Sequence, residues 1–157
     1  MSTDIFLKID GVDGESKAEG HKNEIDINSW SWGMTNSGTA HKGGGAGGGV
    51  VSVQDIHFTK QIDKSSSSLM KHCSTGQHFT KATLFQRRAG GSPLEFLKIE
   101  MEMVLVSSYQ TGSHGDQPTD SFSLNFAKYT ATYTEQSDTG GTGASVPVIY
   151  DIRQKKS

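Results

Sequence analysis

Two carboxylates in the longest periodic run of the sequence are the first candidates for chemistry. Glu100 and Glu102 stand two residues apart on one predicted strand, so they share a face and could form the carboxylate pair of a glycosidase. Lys98 lies on the same face, which is more typical of a solvated outer surface or of charges that face a neighbouring subunit. We therefore expect these carboxylates on a surface rather than in an active site.

The closest approach to a metal site in the sequence is formed by His72, Cys73 and His78. Their spacing matches neither HExxH nor CxxC, and a second thiolate is absent because Cys73 is the only cysteine. This cysteine has no evident base and can form no internal disulfide, and the sequence contains no GxSxG. The residues therefore predict no catalytic site, no metal site and no cofactor.

A glycine-rich segment, TNSGTAHKGGGAGGG, occupies positions 35–49. Gly43, Gly45 and Gly48 form a GxGxxG, but a dinucleotide-binding motif must open a helix, and here a predicted strand follows. The preceding glycines resemble the start of a P-loop, yet Thr39-Ala40 stands where Lys and Ser or Thr are required. The segment is thus either a flexible connection between strands or a hairpin arm that becomes ordered against another subunit.

The composition favours a single all-β domain covering residues 1–157. Hydrophobic residues make up only 32% of the chain and glycine contributes 19 residues, which fits a thin core or a subunit that copies of itself complete. The net charge of −2 gives no electrostatic case for binding nucleic acid or an anionic membrane. The N-terminus MSTDIFLKID lacks the basic and apolar regions of a signal peptide, and no run reaches membrane-spanning length.

The segment from Glu24 to Met34 is predicted to be the strand that organises the fold. Ile25 and Ile27 lie on one face of this strand, whereas Trp30 and Trp32 lie on positions of the opposite parity. Such a phase change indicates a β-bulge or a sharp coil. Because both tryptophans of the chain point to the same side, we expect them to anchor the core.

Period-two alternation predicts about seven strands in total and no βαβ rhythm. In the longest of them, one face carries Leu97, Ile99, Met101, Met103 and Leu105. The polar stretches ESKAEGHKN, residues 15–23, and TGSHGDQPTD are predicted to be loops. Closely spaced strands are typical of a sandwich or a barrel, and the repeated phase changes favour a barrel.

One short helix is predicted, from Ser65 to Ser74. Asp63 or a following serine can cap its N-terminus, and Gly76 can serve as its C-cap. Leu69, Met70 and Cys73 have helical spacing and are expected to form its apolar side.

A barrel of this length also suits a lipocalin-like protein that binds a small ligand in its interior. The disulfides of many secreted lipocalins are missing, however, and Trp32-Gly33 has the reverse order of their characteristic Gly-x-Trp.

Several segments in a fixed order carry a resemblance to a known family. They are IFLKIDGVDGES, EIDINSWSWGM, the GGGAGGG loop, VQDIHFTKQIDKSSSSLMKHCSTG, the AGG turn, LVSSYQTG, LNFAKYTATY and the terminal DIRQ. Together they resemble the haemolysin-coregulated protein (Hcp) family, the tube protein of the bacterial type VI secretion system. No single motif is decisive, but the ordered set covers essentially the whole chain.

The resemblance implies a two-sheet β-barrel with one flanking helix, which forms a hexameric ring. Rings would stack into a tube inside a contractile sheath, tipped by a spike protein and built on a baseplate, with small secreted effectors in the lumen. Such a protein is not an enzyme. It would be assembled in the cytoplasm and then leave through the apparatus itself. No fused toxin domain is expected after Lys156-Ser157.

The resemblance also assigns roles to two sets of residues. If the tryptophans lie in the core, the alternating Ser31 and Ser29 lie outside, where we expect them to face the lumen and bind effectors. The glycine-rich arm is expected to contact a neighbouring subunit or ring through Thr39, His41, Lys42, Gly43, Gly44, Gly45, Gly47 and Gly48.

Overall fold

The computed structural model describes residues 3–38, 49–89, 93–137 and 141–157. These residues form β-strands and one helix, as the sequence predicted. The elements are β1 (Thr3–Ile9), β2 (Ile25–Asp26), β3 (Ser29–Ser31), β4 (Met34–Asn36), β5 (Val51–Val53), β6 (Ile56–Gln61), α1 (Ser66–Thr75), β7 (Phe79–Arg88), β8 (Glu95–His114), β9 (Gln117–Asn125), β10 (Lys128–Gln136) and β11 (Thr142–Asp151).

Two antiparallel sheets share the long strand β8. The first sheet has the order β2-β1-β7-β8-β10-β11, and the second has the order β8-β9-β6-β3. The N-terminal half of β8 pairs with β7 and β10, whereas its C-terminal half pairs with β9. A separate short pair, β4 with β5, forms the base of the glycine-rich arm. Because one strand runs through both sheets, the two sheets form a continuous barrel-like wall around one core.

Strand β8 passes from the first sheet to the second near Met103, where the alternation of buried and exposed side chains changes. Met103 has a φ of +53°, which is uncommon for a residue with a side chain. Met103 is therefore 45% exposed, and the buried positions pass to Val104 and Val106. The expectation that Met103 continues the core face of Ile99 and Met101 is wrong, because the left-handed residue shifts the alternation by one.

The predicted tryptophan strand is divided into three short strands. The chain leaves the first sheet after Asp26 and enters the second sheet at Ser29, which accounts for the change of parity in the sequence. Trp30 and Trp32 are only half-buried at the edge of the core. Their indole N–H groups donate to Gln86 Oε1 at 3.0 Å and to the Gln54 carbonyl at 2.9 Å, respectively. The expectation that they anchor the core is wrong.

Aliphatic and phenylalanine side chains fill the space between the two sheets instead. The largest apolar side chains that are fully buried are Phe58, Phe122, Leu7, Ile9, Ile25, Ile56, Leu69, Leu84, Met101, Leu124 and Val104. A side-chain-filled interior leaves no room for a ligand chamber of the lipocalin kind. That alternative is therefore not supported.

The helix lies within one residue of its predicted bounds. Gly76 ends it in the left-handed conformation, with φ of +73°, and donates its backbone N–H to His72 O. Leu69 is fully buried, but Met70 is 42% exposed, so Met70 does not belong to the apolar side as expected. At the N-terminus the carboxylate of Asp63 accepts hydrogen bonds from the Ser65 backbone N–H at 2.9 Å and from its hydroxyl.

The predicted loop TGSHGDQPTD is part of a hairpin. Strand β8 continues to His114 and β9 begins at Gln117, which leaves only Gly115 and Asp116 in the turn. Gly115 has a φ of +85°, a conformation that two-residue hairpin turns require and that glycine adopts without strain. Among the described residues, no helix has the length and apolar character needed to cross a membrane.

A buried ion pair lies between the helix and the second sheet. Lys60 and Asp120 are directly opposite each other on β6 and β9, and both are 0% exposed. Lys60 Nζ donates to Asp120 Oδ2 at 2.8 Å, to Asp63 Oδ1 at 2.9 Å and to Ser66 Oγ at 2.9 Å. Burial alone would raise the pKa of Asp120, but the hydrogen bonds from Lys60 and Ser66 outweigh it and hold that pKa below its usual value.

We expect Lys60→Met to lower the free energy of unfolding by about 3–5 kcal/mol, because the Asp120 carboxylate loses its counter-charge. Urea unfolding at fixed protein concentration measures the loss. The matched control is Lys128→Met, whose exposed pair with Glu102 should contribute less than about 1 kcal/mol. Replacing both buried partners, as in Lys60→Met with Asp120→Leu, should recover most of the stability. Equal losses for Lys60→Met and Lys128→Met would contradict the assignment.

Candidate functional site

The outer face of the second sheet carries small polar side chains on all four of its strands. Ser29 and Ser31 lie on β3 at its edge, both exposed, as the sequence predicted for the outside of the tryptophan segment. Cross-strand pairing places them at the ends of two polar rows. The rows are Ser29, Thr59, Ser121 and Gln110, and Ser31, His57, Ser123 and Ser108.

Hydrogen bonds between hydroxyl groups connect neighbouring strands of this face, which we call the hydroxyl face. Ser29 Oγ and Thr59 Oγ1 are 2.5 Å apart, and Ser108 Oγ and Ser123 Oγ are 2.6 Å apart. Either hydroxyl can donate in each pair, and the exposed Ser29 also remains able to bond a partner from solvent, whereas Ser123 is only 2% exposed. The two rows are thus adaptable in hydrogen bonding, and the Asp55 carboxylate adjoins them by accepting from Ser107 Oγ beside Ser123.

The hydroxyl face and the outer face of the first sheet differ in their content of charged residues. The two rows of the hydroxyl face contain no lysine, arginine, aspartate or glutamate. On the first sheet, Lys81 lies 3.1 Å from Glu100, Lys98 lies 3.5 Å from Glu100, and Lys128 lies 3.7 Å from Glu102. Burial would raise the pKa of Glu100, but the neighbouring Lys81 and Lys98 outweigh burial and lower that pKa overall. Glu100 and Glu102 therefore lie on a solvated charged surface, as expected.

A shallow groove of about 370 Å³ runs across the hydroxyl face. Its polar lining comes from His57, Thr59, Ser108, Gln110 and Ser121. None of these residues was predicted from the sequence to belong to a site. The sequence indicates that they face outward, because polar and apolar residues alternate on β6 and β9; His57 and Thr59, for example, alternate with the buried Ile56 and Phe58. That pattern does not tell which strands are neighbours, so it could not show that these residues lie together.

Stacked aromatic rings lie directly behind the groove. The ring centroids of Phe58 and Phe122 are 5.2 Å apart with an interplanar angle of 20°, and both side chains are fully buried. Trp30 and Phe58 are cross-strand partners, so the core side of β3 continues the same layer. This packing holds the three strands in register and thereby fixes the positions of the hydroxyl groups on the other side.

A second surface feature is an apolar strip on β10 and β11. Tyr133, Val146 and Val148 are 48%, 60% and 54% exposed, respectively. Side chains an even number of residues apart on a strand lie on the same side of the sheet. Tyr133 is four residues from the buried Tyr129 on β10, and Val146 and Val148 are four and two residues from its cross-strand partner Tyr150 on β11. All three therefore lie on the same side as Tyr129. The core face of the first sheet therefore extends beyond the part that the second sheet covers. Within the described part of the chain, β11 pairs with β10 alone.

A cavity of about 530 Å³ adjoins this apolar strip at the base of the arm. Val50, Val51, Tyr129, Tyr150 and Ile152 contribute its apolar lining. Burial, and then the neighbouring Tyr150, raise the pKa of Tyr129, which is consistent with an apolar environment. Strip and cavity together form one continuous apolar surface.

The residues assigned to the arm lie outside the part of the chain that the structure describes. They are Thr39, His41, Lys42, Gly43, Gly44, Gly45, Gly47 and Gly48. Among the described residues, Met34–Asn36 pairs with Val51–Val53 at the base of this segment. Asn36 Nδ2 donates to the Gly49 carbonyl at 3.2 Å and closes that base.

The two histidines considered for a metal site lie in different surroundings. The His72 ring stacks on Phe79 with centroids 4.0 Å apart, and its Nδ1 bonds the Ser68 carbonyl at 2.8 Å. His78 lies instead beside a groove with Met103 and Arg153. No group of three metal-ligating side chains occurs among the residues that the structure describes.

Comparisons with known proteins assign the chain to a family. A family model described as "Type VI secretion system effector, Hcp" matches residues 6–133. The chain is 48% identical to "Protein hcp1" of Pseudomonas aeruginosa over 158 residues, which covers 98% of each sequence. It is similar to the crystal structure of Hcp1 from Salmonella typhimurium, at 33% identity, a TM-score of 0.81 and 99% coverage of both chains. A structure described as a type six secretion system protein gives a TM-score of 0.91 at 28% identity, again with 99% coverage of both chains. The chain therefore belongs to the Hcp family of type VI secretion system proteins.

Proposed function

We propose that this chain is a structural subunit of the expelled tube, in which six copies form a ring and the hydroxyl face lines the lumen. The observation that carries the proposal is the contrast between the two outer faces of the barrel. The two rows of the hydroxyl face contain hydroxyl and amide groups and no lysine, arginine, aspartate or glutamate, whereas the other face carries paired lysines and glutamates. A wall that separates a channel from a surrounding structure needs two such different surfaces.

The apolar strip supports ring formation. Exposed Val146 and Val148 continue a core face, and burying apolar surface contributes about 25 cal/mol per Å². Contacts between different surfaces of identical subunits close into a ring when the rotation between neighbours fits. We therefore place the strip and its adjoining cavity at the contact between neighbouring subunits.

The hydroxyl face suits a lumen that holds cargo weakly and then releases it. Hydroxyl and amide groups form hydrogen bonds with a passing protein, but water competes for each one, so the net gain per bond is only about 0.5–1.5 kcal/mol. An uncharged wall also avoids the long-range attraction that would immobilise charged proteins. We propose that Ser31 and Ser29 contact small secreted effectors at this wall, together with the groove on the same face.

The remaining partners follow from the same proposal. The charged outer face of the first sheet faces the contractile sheath, and the two ends of the tube contact the spike protein and the baseplate. The subunit is assembled in the cytoplasm and is then secreted through the apparatus. Its role is structural rather than catalytic.

The native chain should elute from a sizing column at several times 16.9 kDa and show rings with a central hole in negative-stain micrographs. Val148→Asp should shift it to a smaller species, because a carboxylate would have to be buried in the contact between subunits. Ile149→Asp is the matched control, since Ile149 is similarly exposed on the opposite side of β11. A monomeric native protein, or intact rings in Val148→Asp, would refute the ring and its proposed contact.

Ser31→Gln should preserve the ring. It should reduce effector retention, because the glutamine side chains are longer, narrow the lumen and replace the serine hydroxyl groups. The measurement is a pull-down of a small effector of the same apparatus by the purified ring. Ser145→Gln is the control, as Ser145 is an exposed serine on β11, away from the hydroxyl face. Unchanged retention in Ser31→Gln, with rings intact in both variants, would exclude Ser31 from the effector contact.

We assign the glycine-rich arm to contacts with a neighbouring subunit or ring. Deletion of Gly43–Gly48 should leave the barrel folded, because β4 still pairs with β5 at the base of the arm. Circular dichroism checks the fold, and electron microscopy under conditions that support stacking measures tube length. Tubes as long as those of the native chain would rule out this role.

A further inference from the structure

A series of hydrogen bonds connects a carboxylate between β5 and β6 to the groove of the hydroxyl face. Ser107 Oγ donates to Asp55 Oδ2 at 2.6 Å. Ser107 Oγ also lies 2.8 Å from Ser123 Oγ, which in turn lies 2.6 Å from Ser108 Oγ. Ser108 lines the groove. Two intervening hydroxyl groups therefore join the Asp55 carboxylate to the wall of the groove.

A β-bulge in β8 brings two consecutive serines to the same hydroxyl group. Val106 pairs with Leu124 and Ser108 pairs with Ser123, so Ser107 is an extra residue on β8 between these two pairs. Neighbouring side chains on a regular strand point to opposite faces, whereas here Ser107 and Ser108 both reach Ser123. Ser123 is only 2% exposed, and both of its serine partners are exposed.

The carboxylate fixes the direction of every bond in this series. A carboxylate has only acceptor atoms, and a hydroxyl group has a single proton to donate. Ser107 donates its proton to Asp55, so it must accept from Ser123. Ser123 has then donated its own proton, so it must accept from Ser108. The proton of Ser108 therefore points inward, and the lone pairs of its oxygen remain for a partner in the groove.

A second donor holds the carboxylate in this orientation. Asn125 Nδ2 donates to Asp55 Oδ1 at 2.8 Å, which leaves Oδ2 for Ser107. The other hydroxyl pair of the face, Ser29 with Thr59, has no carboxylate bonded to it among the described residues. Either member of that pair can donate, whereas the direction at Ser108 is set.

We propose that Asp55 is a positioning residue for effector binding: it makes Ser108 a hydrogen-bond acceptor, so that the groove selects effector groups that donate. Suitable groups are a backbone N–H and the side chains of asparagine, glutamine, lysine and arginine. A group with acceptor atoms only, such as a carboxylate, is disfavoured at this point of the wall. The inference rests on the role in effector binding proposed above for the hydroxyl face.

Neutron diffraction from crystals of the native protein, exchanged into D2O at neutral pH, tests the bond directions without any effector. The deuteron on Ser108 Oγ should lie between that oxygen and Ser123 Oγ. In Asp55→Asn the directions should reverse, because Asn125 still donates to the side-chain oxygen and the new amide nitrogen donates to Ser107. The Ser108 deuteron should then point into the groove. A native deuteron that points away from Ser123, or no reversal in the variant, would overturn the proposal.

Effector retention by the purified ring measures the consequence. Asp55→Asn should lower the retention of a small effector of the same apparatus about two- to tenfold, the effect of one neutral hydrogen bond. Asp13→Asn removes an exposed carboxylate from the loop between β1 and β2, and it should retain the effector like the native ring. Unchanged or higher retention in Asp55→Asn would contradict the proposal. A native ring that retains no effector would refute the effector-binding role itself, whereas the deuteron positions decide the acceptor at Ser108 in either case.

Ser123→Ala distinguishes the direction of the bonds from a purely structural role of Asp55. Without the Ser123 hydroxyl group, Ser108 is no longer connected to the carboxylate. Adding Asp55→Asn to Ser123→Ala should therefore cause no further change in effector retention. If Asp55 only stabilised the bulge, Asp55→Asn would lower retention as much in Ser123→Ala as in the native chain, and that result would exclude the proposed mechanism.

Discussion

The buried ion pair between Lys60 and Asp120 is the interaction on which the arrangement of the second sheet depends. The two residues are direct cross-strand partners, and both charged side chains are 0% exposed. Removing a charge from water costs several kcal/mol, which only good geometry and further hydrogen bonds offset. Asp63 and Ser66 provide those bonds from the start of the helix. The pair therefore fixes the register of β6 with β9 and the position of the helix together.

That register has a consequence on the other side of the same strands. With Lys60 and Asp120 facing inward, Thr59 and Ser121 must face outward, because side chains alternate along a strand. The stacked rings of Phe58 and Phe122 maintain the same alignment one step along the strands. The flat hydroxyl face is thus the reverse side of a well-determined core, which suits the wall of a channel.

The apolar surface proposed for assembly arises where the core pattern continues beyond the core. Strand β8 bends from one sheet to the other at Met103, and the second sheet covers only part of the first. The apolar face of β10 and β11 is left open at Val146 and Val148. In a monomer this surface would favour aggregation, and a ring gives it a defined partner.

The sequence by itself determined the all-β class, the single helix, the family and the outward position of Ser29 and Ser31. Alternation along the chain and capping residues are local signals, so they can be read without knowing which strands are neighbours.

Tertiary structure alone decided the rest. A parity change could mean one left-handed residue within a strand, as at Met103, or a change of sheet, as between Asp26 and Ser29, and only the tertiary structure distinguishes them. The burial of His21 likewise depends on Phe85 and Glu95, residues far along the chain, and local sequence carries no signal for such contacts.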